Sequence, residues 1–248
     1  MNTFYKEGVT FNFVKITDNV ECRNWMISNF HIWEPFTFEC FRKVSNSSKI
    51  AIDIGAWIGL TAIWLAKHFK HVICIEADKI STENLRLNLI ASNCDNFSIY
   101  ENAFYNEKTN LCFGSNSFKS NSTLNESMSQ IKFNSDKKDD YIVDTITLSE
   151  IIKGIPISDI GLLKIDIEGG EEFIMEDVMN FCSKNNIPIL LSFHINWWKD
   201  KNFNRFINLF KNFNIISDQN KNIMFEELFE CLSSNPFVTL FCTYNITL

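Results

Sequence analysis

The amino-acid sequence predicts an α/β fold: a single doubly wound sheet with helices on both faces and an N-terminal cap. Short apolar runs of strand length alternate along the chain with segments whose apolar residues recur at helical spacing. Several of the runs are nearly continuous in apolar residues, which is typical of parallel strands buried on both faces. The chain has 248 residues, of which 46% are hydrophobic, so one such domain accounts for its length.

The strand and helix signals follow one another in the order that βαβ units require. The predicted strands cover residues 49–54, 71–76, 97–100, 160–167, 187–193 and 238–244. The predicted helices cover residues 59–69, 84–91 behind an N-cap at Ser81, 171–181 and 203–210. Ligands of such sheets bind outside the carboxyl ends of the strands, so we look for candidate residues there.

Two segments lie outside this alternation. Residues 1–45 contain a hairpin-like stretch over residues 4–16 and a helical stretch over residues 25–41, and we expect a cap over the sheet edge. Residues 106–140 form a polar insertion rich in Ser, Asn and Lys, which predicts a mobile loop or a lid. Residues 46–248, with that insertion, make up the predicted domain.

Charge and composition exclude several classes of protein. The formal net charge is −7, and the longest basic patch is two lysines flanked by aspartates, so we expect no nucleic-acid partner. No stretch approaches the ~20 apolar residues of a membrane span, and the N-terminus lacks the basic and apolar regions of a signal peptide. We therefore expect a cytoplasmic protein whose eight cysteines are reduced. The sequence carries no signal for an oligomeric state.

The first predicted strand ends in a glycine turn, Asp53-Ile-Gly55-Ala56-Trp-Ile-Gly59. Gly55 allows a sharp turn and a close ligand, and Gly59 allows close packing of the following helix. A dinucleotide site would need G-x-G-x-x-G to seat a pyrophosphate, whereas this turn has G-x-x-x-G. Asp53 would also repel a pyrophosphate. The turn therefore favours a ligand with a cationic amino-acid part and no phosphate.

Acidic and amide residues follow the next two strands. Glu76 ends the second strand, 23 residues after Asp53, where a carboxylate can accept both hydroxyls of a ribose. Asn102 and Ala103 follow the third strand and are placed to border an adenine. Together these features favour S-adenosylmethionine over NAD, although Asp53 and Glu76 could also simply end strands in water. The candidate cofactor-binding residues are Asp53, Gly55, Ala56, Gly59, Glu76, Ala77, Asn102, Ala103 and Asp166.

A second acidic cluster follows the fourth strand. Asp166 and Glu168 lie on one face of an extended segment, and His194 follows the next strand beside them. One interpretation is general-base catalysis, in which His194 or a carboxylate removes the proton of an acceptor. The other is a divalent cation, Mg²⁺ or Mn²⁺, held by Asp166, Glu168 and His194 (or Asn196), which would lower the pKa of an acceptor hydroxyl.

Several neighbouring residues have simpler interpretations. Lys164, inside an apolar strand, is expected to pair with an acid. Glu171 and Glu172 suit the first turn of a helix because of its dipole. Trp33-Glu34-Pro35 is interpreted as a break between helices, with closure over a cofactor as the alternative. Trp197-Trp198 is either a platform for a sugar ring or part of the core.

Five blocks of the sequence carry a family resemblance. They are Asp53-Ile-Gly-Ala-Trp-Ile-Gly59, Glu76 with Asn84, Leu85 and Asn88, Asn102-Ala103, Val143-Asp-Thr-Ile-Thr-Leu148, and Lys164-Ile-Asp-Ile-Glu-Gly169 with Glu171. In this order and spacing they resemble the FkbM family of S-adenosylmethionine-dependent methyltransferases, over about residues 50–194. The chain departs from the family at Trp57, where Asn is usual, at Ala77, where Pro is frequent, and at Ser192, where an acid is usual.

The resemblance implies a Rossmann-like methyltransferase fold and methyl transfer to oxygen, often on sugars of surface glycans or on natural products. The sequence therefore predicts an S-adenosylmethionine-dependent O-methyltransferase that acts on a hydroxyl of a small or saccharide-linked acceptor. Asp166, Glu168 and His194 are the candidate catalytic residues. The alternatives are methylation of another nucleophile, such as a phosphate-linked group or a nitrogen, and a non-catalytic nucleotide-binding partner subunit.

Overall fold

The computed structural model describes residues 1–17, 20–115, 129–132, 140–219 and 221–244. Its strands are β1 (Asn2–Lys6), β2 (Val9–Phe13), β3 (Ile50–Ile54), β4 (His71–Glu76), β5 (Phe97–Glu101), β6 (Ala103–Phe104), β7 (Asn110–Ser115), β8 (Ser129–Lys132), β9 (Tyr141–Ile146), β10 (Ile160–Ile165), β11 (Ile189–His194), β12 (Asn214–Ser217), β13 (Asn222–Ile223) and β14 (Phe237–Thr243). Its α-helices are α1 (Val20–Asn29), α2 (Pro35–Val44), α3 (Ala62–His68), α4 (Lys79–Ala91), α5 (Leu148–Ile151), α6 (Glu171–Asn185), α7 (Asn204–Ile207) and α8 (Leu228–Ser234).

Eight strands form the central sheet, in the order β13-β12-β14-β11-β10-β3-β4-β5. The five strands from β11 to β5 run parallel to one another. Strand β14 inserts between β11 and β12 and runs antiparallel to both. The predicted α/β fold is confirmed, but the sheet is mixed and not wholly parallel. A strand buried between two neighbours has the same apolar pattern in either direction, so the sequence pattern does not reveal its orientation.

The two faces of the sheet bury separate clusters of apolar side chains. Ala51 and Val72 point to one face and share a cluster with residues of α2, α3 and α4. Ile52 and Ile73 point to the other face and share a cluster with residues of α5, α6 and α8. Because successive side chains of a strand alternate between its faces, β3 and β4 supply both clusters. No helix in the described ranges is both long enough and apolar enough to cross a bilayer.

The N-terminal segment lies on one face of the sheet. Strands β1 and β2 pair as an antiparallel hairpin, and the Val14 N–H that follows them donates to the side chain of Asn88 in α4 at 2.9 Å. In α2, Phe38 and Phe41 contact Trp64 of α3 at ring-centroid distances of 6.3 and 5.7 Å. This differs from the predicted cap over the sheet edge, because the apolar side of α2 is buried against a face.

The polar insertion contains two strands. Strands β7 and β8, together with β6 and β9, form a second sheet in the order β6-β9-β7-β8. The predicted loop is therefore wrong for residues 110–115 and 129–132, whose backbone groups are paired in that sheet. The rest of the prediction, over residues 116–128 and 133–139, lies outside the described residues.

Helix α4 begins earlier than its apolar pattern indicates. Asp78 is its N-cap, and the carboxylate accepts a hydrogen bond from the Ser81 N–H at 2.6 Å. The predicted N-cap at Ser81 is therefore wrong, since an acid upstream satisfies the free N–H groups of the first turn. None of the eight cysteines forms a disulfide.

Candidate active site

A cavity of about 480 Å³ opens at the carboxyl ends of the central strands. Its volume is within the range of about 300–1,000 Å³ that small-molecule sites occupy. The residues that follow or end β3, β4, β10 and β11 contribute Gly55, Glu76, Asp166 and His194. The N-terminal segment adds Glu34, and the polar insertion adds Phe113. The cavity therefore lies where the order of the strands predicts a ligand.

The glycine turn after β3 passes directly under the end of β10. Gly55 has a φ of +77°, and a Cβ at this position would lie 1.8 Å from the carbonyl oxygen of Asp166. Gly59 has a φ of +99°, and a Cβ there would approach Leu85 Cδ1 of α4 to 3.0 Å. Gly55 and Ala56 line the cavity, whereas Gly59 does not. The prediction that Gly59 contacts the ligand is corrected: it lets the turn pack against α4.

Asp53 does not reach the cavity. Its side chain is fully buried, accepts a 2.7 Å hydrogen bond from the Thr61 hydroxyl, and pairs with Lys164 Nζ at 3.1 Å. Lys164 is the register partner of Asp53 across β10 and β3, and its ammonium also donates to the Gly55 carbonyl at 2.8 Å. The expected pairing of Lys164 with an acid is confirmed. The prediction that Asp53 faces the ligand is wrong, because a buried ammonium needs this carboxylate as its counter-ion.

Burial and charge act in opposite directions on this ion pair. Burial lowers the pKa of Lys164, but the carboxylates of Asp53, Asp166 and Glu34 outweigh burial and hold that pKa above its usual value. Burial raises the pKa of Asp53, and the Lys164 ammonium and the Thr61 hydroxyl oppose that rise. The Lys164 ammonium is therefore charged, and its partners are the Asp53 carboxylate and the Gly55 carbonyl of the glycine turn.

Glu76 ends β4 and lines the cavity. Its Oε2 accepts the backbone N–H of Trp57 at 2.8 Å, and its Oε1 accepts that of Asp78 at 2.8 Å. Burial raises the pKa of Glu76 to about 7, against the effect of these hydrogen bonds. A carboxylate offers about four acceptor positions, so each oxygen retains capacity for a ligand hydroxyl. Glu76 thus ties the glycine turn to β4 and also presents acceptors to the cavity.

The residues predicted to border an adenine lie next to Glu76. Ala77, Asn102 and Ala103 all line the cavity. The Asn102 backbone N–H donates to the Glu76 carbonyl at 3.1 Å, and its side-chain amide donates to the Asp144 carbonyl at 3.2 Å. These contacts hold the segment after β5 against the end of β4, so the adenine and ribose candidates form one continuous wall.

Asp166, Glu168 and His194 converge at the ends of β10 and β11. His194 Nε2 lies 3.7 Å from Asp166 Oδ1 and 3.3 Å from Glu168 Oε2. One ligand atom from each of the three side chains lies within 4.8 Å of the others. Glu168 Oε2 is buried and accepts no hydrogen bond from the described residues. The cluster thus contains a buried acceptor that a proton or a cation can satisfy.

Glu171 is a fourth member of this cluster, and its role is not visible in the sequence. Its fully buried carboxylate lies 3.0 Å from His194 Nδ1 and 3.0 Å from Trp198 Nε1. An ionised carboxylate only accepts hydrogen bonds, so His194 Nδ1 carries a proton and Nε2 faces Asp166. The partner lies 23 residues away on another strand, so no local pattern connects the two. In the sequence, the helix dipole and the family block that follows the fourth strand are the two signals for an acid at this position.

The charges of the cluster shift the pKa values of its members. Burial lowers the pKa of His194, but the hydrogen bond to Glu171 and the charges of Glu171, Asp166 and Glu168 outweigh burial and raise it to about 9. Burial, and then the charge of Asp166, raise the pKa of Glu168 to about 8. The excess of carboxyl groups over imidazole in the cluster therefore favours the protonated forms of Glu168 and His194.

Glu172 anchors the segment that follows β11. Its carboxylate accepts the Lys199 backbone N–H at 2.7 Å and pairs with Arg205 at 2.9 Å. The interpretation of Glu172 as a residue placed for the helix dipole is therefore incomplete. Its contacts hold in place the segment that leads from the end of β11 to α7.

The two adjacent tryptophans have different surroundings. Trp198 is 3% exposed and contacts Phe193 at a ring-centroid distance of 5.9 Å, so it belongs to the core. Trp197 stacks on the His194 ring at 5.2 Å and contacts Phe237 at 5.4 Å. Phe237 is 49% exposed and lines the cavity. The exposed aromatic surface beside the cluster therefore comes from β14 and not from Trp198.

Three non-glycine residues of the cavity wall have a left-handed backbone: Glu34 with φ +42°, Trp57 with φ +45° and Glu168 with φ +53°. Such residues cost about 1–3 kcal/mol each and collect at functional sites. Trp57 supplies its backbone N–H to Glu76, while its indole Nε1 is buried without a hydrogen bond to the described residues. Glu34 marks a contribution of the N-terminal segment to the site.

Comparison with family models matches residues 53–223 to the methyltransferase FkbM domain. Among solved structures, the chain is similar to an rRNA methylase from Streptococcus thermophilus, with a TM-score of 0.50 and 12% identity over 87% of this chain and 96% of that one. This likeness shows the fold.

Two further solved structures are similar to the chain. Methyltransferase FkbM from Methylobacillus flagellatus KT has a TM-score of 0.48 and 15% identity over 79% of this chain and 44% of that one, so the chain spans less than half the length of that protein. The O-methyltransferase from Bacillus cereus in complex with S-adenosylhomocysteine has a TM-score of 0.45 and 11% identity over 85% of this chain and 79% of that one. A search of curated proteins finds no match.

Proposed function

Since this chain belongs to the FkbM family of methyltransferases, we propose that it uses S-adenosylmethionine to methylate a hydroxyl group of a small or saccharide-linked acceptor. The observation that carries the proposal is the convergence of Asp166, Glu168 and His194 on the cavity that the glycine turn and Glu76 also line. When bound, S-adenosylmethionine supplies an electrophilic methyl group on a sulfonium, and S-adenosylhomocysteine remains after transfer.

The residues of the cavity divide this task between them. Glu76 accepts the ribose hydroxyls, Gly55 and Ala56 let the ligand approach the backbone, and Asn102 borders the adenine. The neutral form of His194, which a pKa of about 9 makes the minor form at pH 7, keeps its proton on Nδ1 toward Glu171 and receives the proton of the acceptor hydroxyl at Nε2, or a carboxylate of the cluster does. Holding the two reactants in line for transfer supplies much of the rate.

The same cluster fits a divalent cation. Glu168 Oε2 is buried and accepts no hydrogen bond from the described residues, its nearest charged neighbour is His194 Nε2 at 3.3 Å, and Asp166 Oδ1 and His194 Nε2 lie within reach of a shared ion. Glu171 holds the other ring nitrogen of His194, which is the usual outer contact of a metal-binding histidine. Asp166, Glu168 and His194 would hold Mg²⁺ or Mn²⁺, which would lower the pKa of the acceptor hydroxyl.

Removal of divalent cations is expected to slow methyl transfer by about 100-fold or more, since a metal contributes several kcal/mol of charge stabilisation. The measurement is the transfer rate after exhaustive chelation, then after addition of Mg²⁺ or Mn²⁺, which should restore it. Binding of S-adenosylhomocysteine should survive chelation, because Glu76 and the glycine turn are separate from the cluster. Full activity after chelation, with no response to either ion, would reject the metal and leave deprotonation to His194 or a carboxylate of the cluster.

Replacing Glu76 with Ala is expected to weaken binding of S-adenosylhomocysteine about tenfold or more, because two charge-assisted hydrogen bonds to the ribose are lost. Isothermal calorimetry measures the affinity. Glu101→Ala is the matched control, since Glu101 is the register partner of Glu76 on β5, is exposed, and does not line the cavity. Equal affinities of Glu76→Ala and the wild type would show that the ribose acceptor is misassigned.

The lining of the cavity supports an uncharged acceptor. Five carboxylates line it, and its single lysine, Lys164, is already paired with Asp53. A phosphate-linked acceptor would therefore be repelled by those carboxylates that are ionised and hold no cation. Trp25 and Phe237 are 48% and 49% exposed and line the same cavity, where a flat aromatic ring can contact the apolar face of a sugar.

Calorimetry with S-adenosylhomocysteine, followed by an acceptor screen, tests the proposal. The wild-type protein is incubated with deuterated-methyl S-adenosylmethionine and a panel of methyl glycosides, polyols, phosphosugars and amines, and products are identified by mass spectrometry and NMR. Methylation at oxygen of a glycoside or polyol is the expected result. A product methylated at nitrogen or phosphate would support the alternative nucleophiles, and absence of S-adenosylhomocysteine binding would reject the enzyme in favour of a partner subunit.

A further inference from the structure

Glu34 belongs to the cavity wall but has no part in the function proposed above. It lies between Trp33 and Pro35 in the N-terminal segment, before the residues 53–223 that match the family model. As the N-cap of α2, it has φ +42° and ψ +57°, with Pro35 at the first helical position. The backbone of Glu34 is therefore strained. In this conformation Glu34 lines the cavity.

The Glu34 carboxylate has few partners of its own. Its Oε2 accepts a hydrogen bond from the Thr37 hydroxyl at 3.0 Å, and it forms no ion pair with the described residues. Two ammonium groups interact with its charge, and both are bonded elsewhere. Lys164 is bonded to Asp53 and to the Gly55 carbonyl, and Lys6 is bonded to the Trp33 carbonyl at 2.6 Å. Burial, and then the charge of Asp166, raise the pKa of Glu34 to about 7. A cation from outside the protein would stabilise this carboxylate, with which no ammonium of the described residues forms an ion pair.

The position of Glu34 in the cavity indicates which cationic group of a ligand would pair with its carboxylate. Its charge interacts with Asp166 directly after β10, Lys164 in β10 and Asp53 in β3, whereas the ribose acceptor Glu76 ends β4. A nucleoside held at Glu76 would have room for its amino-acid end along Gly55 and the end of β10, since Glu76, Gly55 and Asp166 line the same cavity. That end of S-adenosylmethionine carries an α-ammonium group.

We propose that Glu34 binds the α-ammonium group of the methionine part of S-adenosylmethionine and S-adenosylhomocysteine. The inference rests on the proposed function, which supplies the cofactor. The sequence predicts that Asp53, the acid of the glycine turn, complements this ammonium. In the structure Asp53 is buried in an ion pair with Lys164, and we assign the role to Glu34 instead. The N-terminal segment then completes the cofactor site in addition to covering a face of the sheet.

The test compares three ligands on two proteins by calorimetry. The ligands are S-adenosylhomocysteine, its analogue without the α-amino group, and 5′-methylthioadenosine, which lacks the whole amino-acid part. Glu34→Gln keeps the shape and the hydrogen-bonding capacity but removes the charge. We expect it to bind S-adenosylhomocysteine about 10- to 100-fold more weakly than the wild type, the size of a charged hydrogen bond, and to bind the other two ligands equally well.

Glu39→Gln is the matched control, since Glu39 lies on the same helix and its ion-pair partner among the described residues is Lys43 at the surface. If Glu34→Gln binds S-adenosylhomocysteine as the wild type does, or loses affinity for all three ligands alike, the inference is overturned. Should the variant not fold, the wild type still decides: equal affinity for S-adenosylhomocysteine and its deaminated analogue overturns it. A wild type that binds none of the three ligands rejects the proposed function instead.

Discussion

His194→Gln is expected to transfer methyl groups about 10²- to 10⁴-fold more slowly than the wild type, the usual contribution of a positioned acid–base group. His194 Nε2 faces Asp166 and Glu168 at 3.7 and 3.3 Å, so its removal takes away both the base and a ligand of the candidate cation site. The measurement is kcat with the acceptor that the screen identifies, together with calorimetry of S-adenosylhomocysteine. We expect kcat to fall while the affinity for S-adenosylhomocysteine stays close to that of the wild type.

His71→Gln is a suitable control for this variant. His71 begins β4, at the opposite end of the sheet from the cavity, and its ring bonds to the Ser98 hydroxyl at 2.9 Å. Its substitution should leave kcat unchanged. A His194→Gln enzyme with wild-type kcat would exclude His194 from the chemistry, and equal losses in both variants would point to general destabilisation.

Lys164→Met is expected to lower the free energy of unfolding by about 3–5 kcal/mol, because it leaves the Asp53 carboxylate buried without its counter-ion. Both side chains are nearly or fully buried, with relative exposures of 5% and 0%. Urea denaturation measures the loss. The orphaned carboxyl binds a proton more tightly in the folded than in the unfolded state, so the deficit should shrink as the pH is lowered.

A second substitution separates charge from packing in this prediction. In Lys164→Met/Asp53→Leu both charges are gone, and the double variant should recover much of the stability that the single variant loses. Lys43→Met serves as the control, since its ion pair with Glu39 is at the surface and contributes about 0.3–0.5 kcal/mol. A Lys164→Met protein as stable as the Lys43→Met protein would contradict the pairing.

Local residue patterns predicted much of the fold. Strands β3, β4, β10 and β11 and the glycine turn are continuous stretches whose hydrophobicity and turn residues are set by their immediate neighbours along the chain. The convergence of Asp166, Glu168 and His194 was predictable for the same reason, because parallel strands end at a common edge. The insertion was the main local error: β7 and β8 contain polar residues, and only their pairing with each other and with β9 makes them strands.

The sequence by itself determined which chemical groups stand at the ends of the strands, and hence the class of site. Tertiary structure alone decided which of them are free to act. Asp53 became the counter-ion of Lys164, Glu171 became the partner of His194, and Glu34 took the place on the cavity wall predicted for Asp53. A carboxylate is acidic wherever it occurs, but its partner is the nearest opposite charge in space. Burial makes that partner obligatory, and no local spacing along the chain specifies it.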